Sequence, residues 1–172
     1  MTNKEAITDQ PTHLATQPQA ANTEGVTALW LAVRSGQRNL LFPLAQAGEI
    51  ISMARIAPVP HTLAWFVGVV NLRGGLYGVV DLAGFMGDKP AHTQTAQPTV
   101  VTFNPDLKLN CALVVDGLAG LRRQDSFVSR EVALADSPVY FGSLLTDSEG
   151  GQWQEINLHL LSQCPEFLRI SV

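Results

Sequence analysis

The sequence predicts an all-β fold of many short strands. Three observations carry this. The apolar runs are brief and rich in β-branched residues, as strands require. Glycine and proline punctuate them closely, with 14 and 10 in 172 residues, which favours a barrel or a sandwich. The stretch Gly68-Val69-Val70-Asn71-Leu72-Arg73-Gly74-Gly75-Leu76-Tyr77-Gly78-Val79-Val80-Asp81-Leu82 sets two such runs around a glycine-dense centre. Gly74 and Gly75 can supply the positive φ that a tight hairpin turn needs, so this stretch reads as a β-hairpin ending at Asp81.

The elements follow in chain order. Residues 1–25 are polar, carry Pro11 and Pro18 and lack periodicity. Such a segment buries too little to offset its ordering entropy and is expected to be a disordered tail before a domain over residues 26–172. Ala28 to Val33 is a first strand, turning at Ser35-Gly36, and Asn39 to Ala45 a second. Pro43 cannot donate to a ladder, so the second strand is expected to lie at an edge or to bulge there. Glu49 to Met53 and Ile56 to Val59 are the next strands, with Pro58 and Pro60 arguing against helix. Thr62 to Phe66 is expected to form a helical turn before the hairpin. Leu82 to Met86 should form another, with Asp81 as its N-cap.

Residues 87–98 are polar and contain Pro90 and Pro98, the pattern of an internal loop. Strands resume at Thr99 to Phe103, turn at Asn104-Pro105-Asp106, and continue as Leu109 to Val115 and Leu118 to Arg122. Tyr140 to Leu145 and Gln152 to Ile156 flank a turn at Ser148-Glu149-Gly150-Gly151. Asn157 caps a short helix, Leu158 to Ser162, before Cys164-Pro165. Val79-Val80-Asp81 is echoed by Val114-Val115-Asp116. The echo suggests two related halves, although aspartate also ends strands for local backbone reasons.

Composition narrows the function. Only 15% of residues are charged, against about 25% in ordinary globular chains. Neutral and apolar surface of this kind favours protein binding. The net charge of −4 gives no basic footprint for nucleic acid. There is no apolar run of membrane-spanning length and no signal-peptide pattern after Met1, so a cytoplasmic protein without membrane insertion is expected. Cys111 and Cys164 are far apart; a disulfide is open, and Cys111 reads as a small core residue. His13, His61, His92 and His159 show no metal-ligand spacing, and no phosphate-binding loop or nucleophile elbow is present. No acid, base or nucleophile is arranged for catalysis, so neither enzyme nor cofactor is expected.

The hairpin motif resembles the signature of the CheW family, the adaptors of bacterial chemosensory arrays: Gly68-Val69-Val70-Asn71-Leu72-Arg73-Gly74, then Val79-Val80-Asp81-Leu82. The likeness extends over residues 27–162 and takes in the Glu49-Ile50 pair and Val114-Val115-Asp116. Trp153-Gln154-Glu155-Ile156-Asn157-Leu158 and Pro165-Glu166-Phe167-Leu168 are similar to the PilI-type branch, which serves type IV pilus twitching motility. The chain departs from the family at Gly78, where proline is usual, at Ala47, where a β-branched residue is common, and at Asn157, where aspartate is usual. The resemblance implies two small five-stranded SH3-like barrels packed on each other, with a few short helices. It also implies an adaptor that bridges the cytoplasmic tip of a chemoreceptor and the regulatory domain of a CheA-type histidine kinase. One surface would meet the kinase and a groove between the barrels would hold receptor helices. A small barrel that binds a metabolite or another regulator is the competing reading.

Eight positions are candidates for partner contact or for shaping the contact surface: Glu49, Ile50, Gly68, Asn71, Leu72, Arg73, Gly74 and Asp81. Arg73 ends an apolar strand, so it should be at the surface or held by a buried acid, and Glu49 is the candidate partner. If buried, the pair should cost about 3–5 kcal/mol to break. The pair either shapes a docking surface or only holds the hairpin. Asn71 is expected to bond backbone. Leu44, Ile50, Trp30 and Trp65 are core candidates, with Leu44, Ile50 and Trp65 also open to interface roles. Arg122, Arg123 and Arg130 read as a solvated basic face.

Overall fold

A computed structural model describes residues 29–52, 54–89 and 98–172. The tail expected over 1–25 and most of the expected 87–98 loop lie outside these residues. The described residues form eleven strands and three short α-helices in the order β1 (Leu29–Ser35), β2 (Arg38–Pro43), β3 (Ala47–Ile51), β4 (Phe66–Leu72), β5 (Gly75–Asp81), α1 (Leu82–Phe85), β6 (Thr99–Phe103), β7 (Cys111–Val115), β8 (Gly117–Arg123), β9 (Phe127–Glu131), β10 (Phe141–Asp147), β11 (Gln152–Ile156), α2 (Leu158–Ser162) and α3 (Pro165–Leu168). The strands make two sheets, ordered β8-β1-β2-β11-β10-β9 and β3-β6-β7-β5-β4.

Each sheet curls back on itself. In the six-stranded sheet, only the single turn Gln124–Ser126 separates β8 from β9. One kinked passage of chain therefore supplies both ends of the strand order. In the five-stranded sheet, the segment after β3 crosses to β4, where Ala57 and Val69 exchange both backbone hydrogen bonds at 2.8 Å. These closures give the two barrel-like units that the resemblance implies, although one sheet has six strands rather than five because the chain kinks between β8 and β9.

Side-chain alternation explains why the strands read as continuous apolar runs. Trp30, Ala32, Leu41, Leu145 and Trp153 fill the interior of the six-stranded unit. Val70, Val79, Val100, Ala112 and Val114 fill that of the five-stranded unit. The intervening residues Leu31, Val33, Leu40, Phe42, Val80, Val101, Phe103 and Leu113 face the other way, into a third layer shared by both units. Strands buried on both faces cannot alternate apolar with polar residues. β7 is the extreme case, with all of Cys111 to Val115 buried.

Where the shared layer reaches the outermost strands it is left uncovered. Leu118 and Leu121 of β8 pair with Val33 and Leu31, so they lie on the shared-layer face, yet they are 48% and 59% exposed. Ile50 of β3 pairs with Val101 and is likewise 43% exposed. Ile50 and Leu44 are therefore surface residues, because β3 and the strand end at Leu44 lie beyond the cover of the opposite unit.

Several local expectations change. Pro43 ends β2 inside a sheet; β2 is neither an edge nor bulged there. The β11 ladder reaches only Leu40 and Leu41, so the missing N–H falls beyond it. Ile56 to Val59 contributes one bridge rather than a strand. Thr62 to Phe66 is not a helix: Thr62 bridges Ser171, and the Leu63 amide donates to the Ile170 carbonyl at 2.8 Å. This seats the C-terminal segment on the five-stranded unit. The strands of the Val-Asp echo are parallel neighbours in one sheet, with Asp81 in register with Val114, so they do not mark two halves. Both cysteines are buried free thiols, and burial pushes Cys111 up to about 12.

Two of the three departures from the resembled family are accommodated. Asn157 caps α2 by accepting from the Leu160 amide at 3.0 Å, which aspartate would do equally well. The Gly78 amide donates to the Asn110 carbonyl at 3.0 Å, a bond proline cannot make.

If the shared layer holds the two units as one, Leu113→Ala should lower unfolding free energy by about 2–5 kcal/mol and retain a single transition in urea. Two separated transitions would mean that the units unfold independently.

Candidate functional site

The hairpin tip and the β3 strand meet at one end of the five-stranded unit. Leu72 pairs with Gly75, leaving Arg73 and Gly74 as a two-residue turn with φ of 49° and 84°. Positive φ at both central residues is the form that matches the twist of paired strands. The left-handed residues are thus Arg73 and Gly74, and Gly75 opens β5. Asn71 bonds backbone as expected: its Oδ1 accepts from the Gly74 amide at 3.1 Å.

Glu49 reaches this tip because β3 is bulged. The β3–β6 register slips between Ala47 and Ile50, and such a slip re-aims the side chains within it. The Thr102 hydroxyl takes up the freed Glu49 amide at 2.7 Å. A Cβ at Gly48 would overlap the Thr102 hydroxyl and the Phe103 carbonyl, so only glycine fits there. Across the barrel end, Arg73 Nη2 lies 3.3 Å from Glu49 Oε2.

The ion pair forms, but it is not buried. The side chains are 83% and 52% exposed, because a turn at a barrel end projects into solvent. The 3–5 kcal/mol expected of a buried pair therefore does not apply; exposed pairs are worth about 0–1 kcal/mol. Beneath the pair lies a cleft of about 90 Å³ lined by Gly48, Glu49, Ile51, Leu72, Arg73, Tyr77, Thr102 and Pro105. Leu76, 60% exposed, follows on the same hairpin.

The other candidates are placed elsewhere or do structural work. Gly68 has φ of 144°, and a Cβ there would overlap the Ala57 carbonyl across the closing bridge. Its role is close backbone approach. Asp81 is fully buried and caps α1, accepting from the Gly84 amide at 3.0 Å. Arg122 lies 5.4 Å above the Trp153 ring, and Arg130 Nε donates to Ser143 Oγ at 2.7 Å. These arginines brace the six-stranded unit rather than forming one free basic face. Trp30 is buried as expected, and its indole donates to Glu155 Oε1 at 2.9 Å. Trp65 is half-buried against Phe85 and Phe167. Gly48, Tyr77 and Thr102 were missing from the sequence-based candidates. Thr102 stands 53 residues from Glu49, and no local pattern points to it.

A sequence model of the CheW-like domain matches residues 29–161, from β1 into α2. The chain belongs to the CheW-like domain family. Protein PilI of Pseudomonas aeruginosa is 27% identical over 148 residues, spanning 83% of this chain and 79% of that protein. The probable chemotaxis protein CheW of Rhizobium etli is 30% identical over 91 residues, 53% of this chain and 57% of that one. The crystal structure of the scaffolding protein TtCheW from Thermoanaerobacter tengcongensis superposes with a TM-score of 0.66 at 15% identity, covering 81% of this chain and 95% of that one. It shares the two-unit fold.

Gly68 and Arg73 should separate in stability. Gly68→Ala is expected to destabilise by more than about 1 kcal/mol, since Ala is strained at positive φ. Arg73→Ala should change stability by less than about 1 kcal/mol, as for an exposed pair. Thermal unfolding followed by circular dichroism distinguishes the two.

Proposed function

We propose that this protein is a non-enzymatic cytoplasmic adaptor that couples chemoreceptors to a CheA-type histidine kinase, in chemotaxis or in type IV pilus twitching motility. The observation that carries the proposal is the CheW-like match over residues 29–161. The similarity to PilI along 83% of the chain favours the pilus output. No helix among the described residues is long and apolar enough to cross a membrane, so contact with membrane receptors would run through protein surfaces.

We assign the kinase contact to the Glu49–Arg73 end, on energetic grounds. A non-glycine residue in the left-handed region costs about 1–2 kcal/mol. The exposed ion pair returns at most about 1 kcal/mol. Arg73 is thus poorly explained by stability, whereas an exposed guanidinium over a cleft that Leu72 and Tyr77 line suits a protein interface. Glu49 would hold the guanidinium in place, and the bulge at Gly48 would hold Glu49. The receptor contact is assigned to the uncovered margin of the shared layer at Leu118 and Leu121. Exposed apolar residues along that margin suit the apolar face of an amphipathic helix. The cleft beneath Arg73, about 90 Å³, is small beside the 300–1,000 Å³ typical of small-molecule sites. At the hairpin end this favours a protein contact over a small-molecule site.

Calorimetric titration with the regulatory domain of a CheA-type kinase from the same organism tests the reading. Saturable binding on the order of micromolar is expected, weakened about tenfold or more by Arg73→Glu while the thermal midpoint of the variant is kept. Unaltered binding by the variant would remove Arg73 from the kinase contact. No binding by the folded wild type would overturn the adaptor assignment.

A further inference from the structure

Away from the hairpin end, an open groove of about 500 Å³ runs between Phe85 at the end of α1, the loop before β10 with Asp136, Val139 and Tyr140, and Cys164 with Glu166 at the start of α3. Three features set it apart from ordinary surface. Its charged lining is entirely acidic, from Asp136 and Glu166. Its wall is aromatic, the Phe85 and Tyr140 rings packing at 5.8 Å between centroids. Tyr140 is only 7% exposed, yet among the described residues its hydroxyl has no hydrogen-bond partner, and the residue lines the groove. The phenol is protonated at neutral pH, as burial only raises its pKa, and its oxygen is an acceptor that no described residue uses, although the Arg38 guanidinium is near enough to act on it. The Glu166 carboxylate accepts the Cys164 thiol at 2.9 Å and keeps further acceptor capacity. Arg169 lines the adjoining cleft with Glu166, and among the described residues no ion pair joins the two.

We propose that this groove receives an arginine side chain of a partner protein. A guanidinium is planar, stacks on aromatic faces and donates in several directions at once. The wall, the carboxylates and the unpaired phenol meet those three properties together. A carboxylate or phosphate would be repelled, and a neutral apolar side chain would leave the carboxylates and the phenol without use. Val139 and Leu134, 68% and 80% exposed, give the partner an apolar margin on which to rest. The site is independent of Arg73 and of the adaptor assignment, since it would serve any partner presenting the residue.

The probe is N-acetyl-arginine amide, titrated into the full-length protein and followed by amide nuclear magnetic resonance shifts, with N-acetyl-norleucine amide as the neutral comparison. Saturable shifts at Phe85, Tyr140, Cys164 and Glu166 with the arginine probe alone are expected. Glu166→Gln should weaken binding about tenfold, the usual effect of losing a charged acceptor. Tyr140→Phe should weaken it less and leave the fold intact, guarding against a Glu166 effect that is merely structural. Equal shifts from both probes, no shifts at these residues, or arginine binding unchanged in Glu166→Gln would each overturn the proposal. None of these outcomes depends on whether the kinase domain binds.

Discussion

The apolar layer shared by the two sheets is the constraint on which the rest of the structure depends. It forces β1, β2, β6 and β7 to be buried on both faces. That burial fixes register, because slipping a strand by one residue exchanges its two sets of side chains between different cores. In β1, Trp30 and Ala32 would change places with Leu31 and Val33. An indole that donates to Glu155 would then lose that acceptor. The layer also fixes where function can lie. Its interior is closed, so binding falls to its uncovered margins and to the barrel ends.

The hairpin end illustrates how a closed barrel builds an exposed feature with definite geometry. β3 and β4 are the outermost strands of their sheet, and the Ala57–Val69 bridge draws them together. Gly68 permits that approach and Gly48 permits the bulge that turns Glu49 toward Arg73. Two glycines and one threonine hydroxyl thus position an ion pair that contributes little to stability. Stability and recognition are divided along the same hairpin, with Gly68 serving one and Arg73 the other.

Much of this was legible in the sequence, and the failures have physical causes. β6, β11 and α2 were read with their observed bounds because strong apolar runs ended in recognisable turns and caps. β9 was overlooked because only Phe127 of its five residues packs inward, while Val128 to Glu131 are exposed. A strand with so little burial leaves little pattern. α3 escaped because it has four residues and begins on a proline. The Glu49–Arg73 contact was legible, and the sequence left open whether it lies at the surface or is buried; it lies at the surface. An apolar strand leading to Arg73 suggests an interior, whereas the two-residue turn carries the arginine past the end of the barrel. The burial of Ile50 was misjudged for a related reason: its face of β3 is the right one for the shared layer, but the other unit does not extend over it.

The most direct test of the docking assignment is hydrogen exchange of the full chain, alone and saturated with the kinase regulatory domain. The account predicts new protection at the amides of Glu49 to Ile51 and Asn71 to Tyr77, with the interior strand β7 unchanged. Protection confined to the segment from Phe127 to Val139, with the hairpin end exchanging as in the free protein, would contradict it.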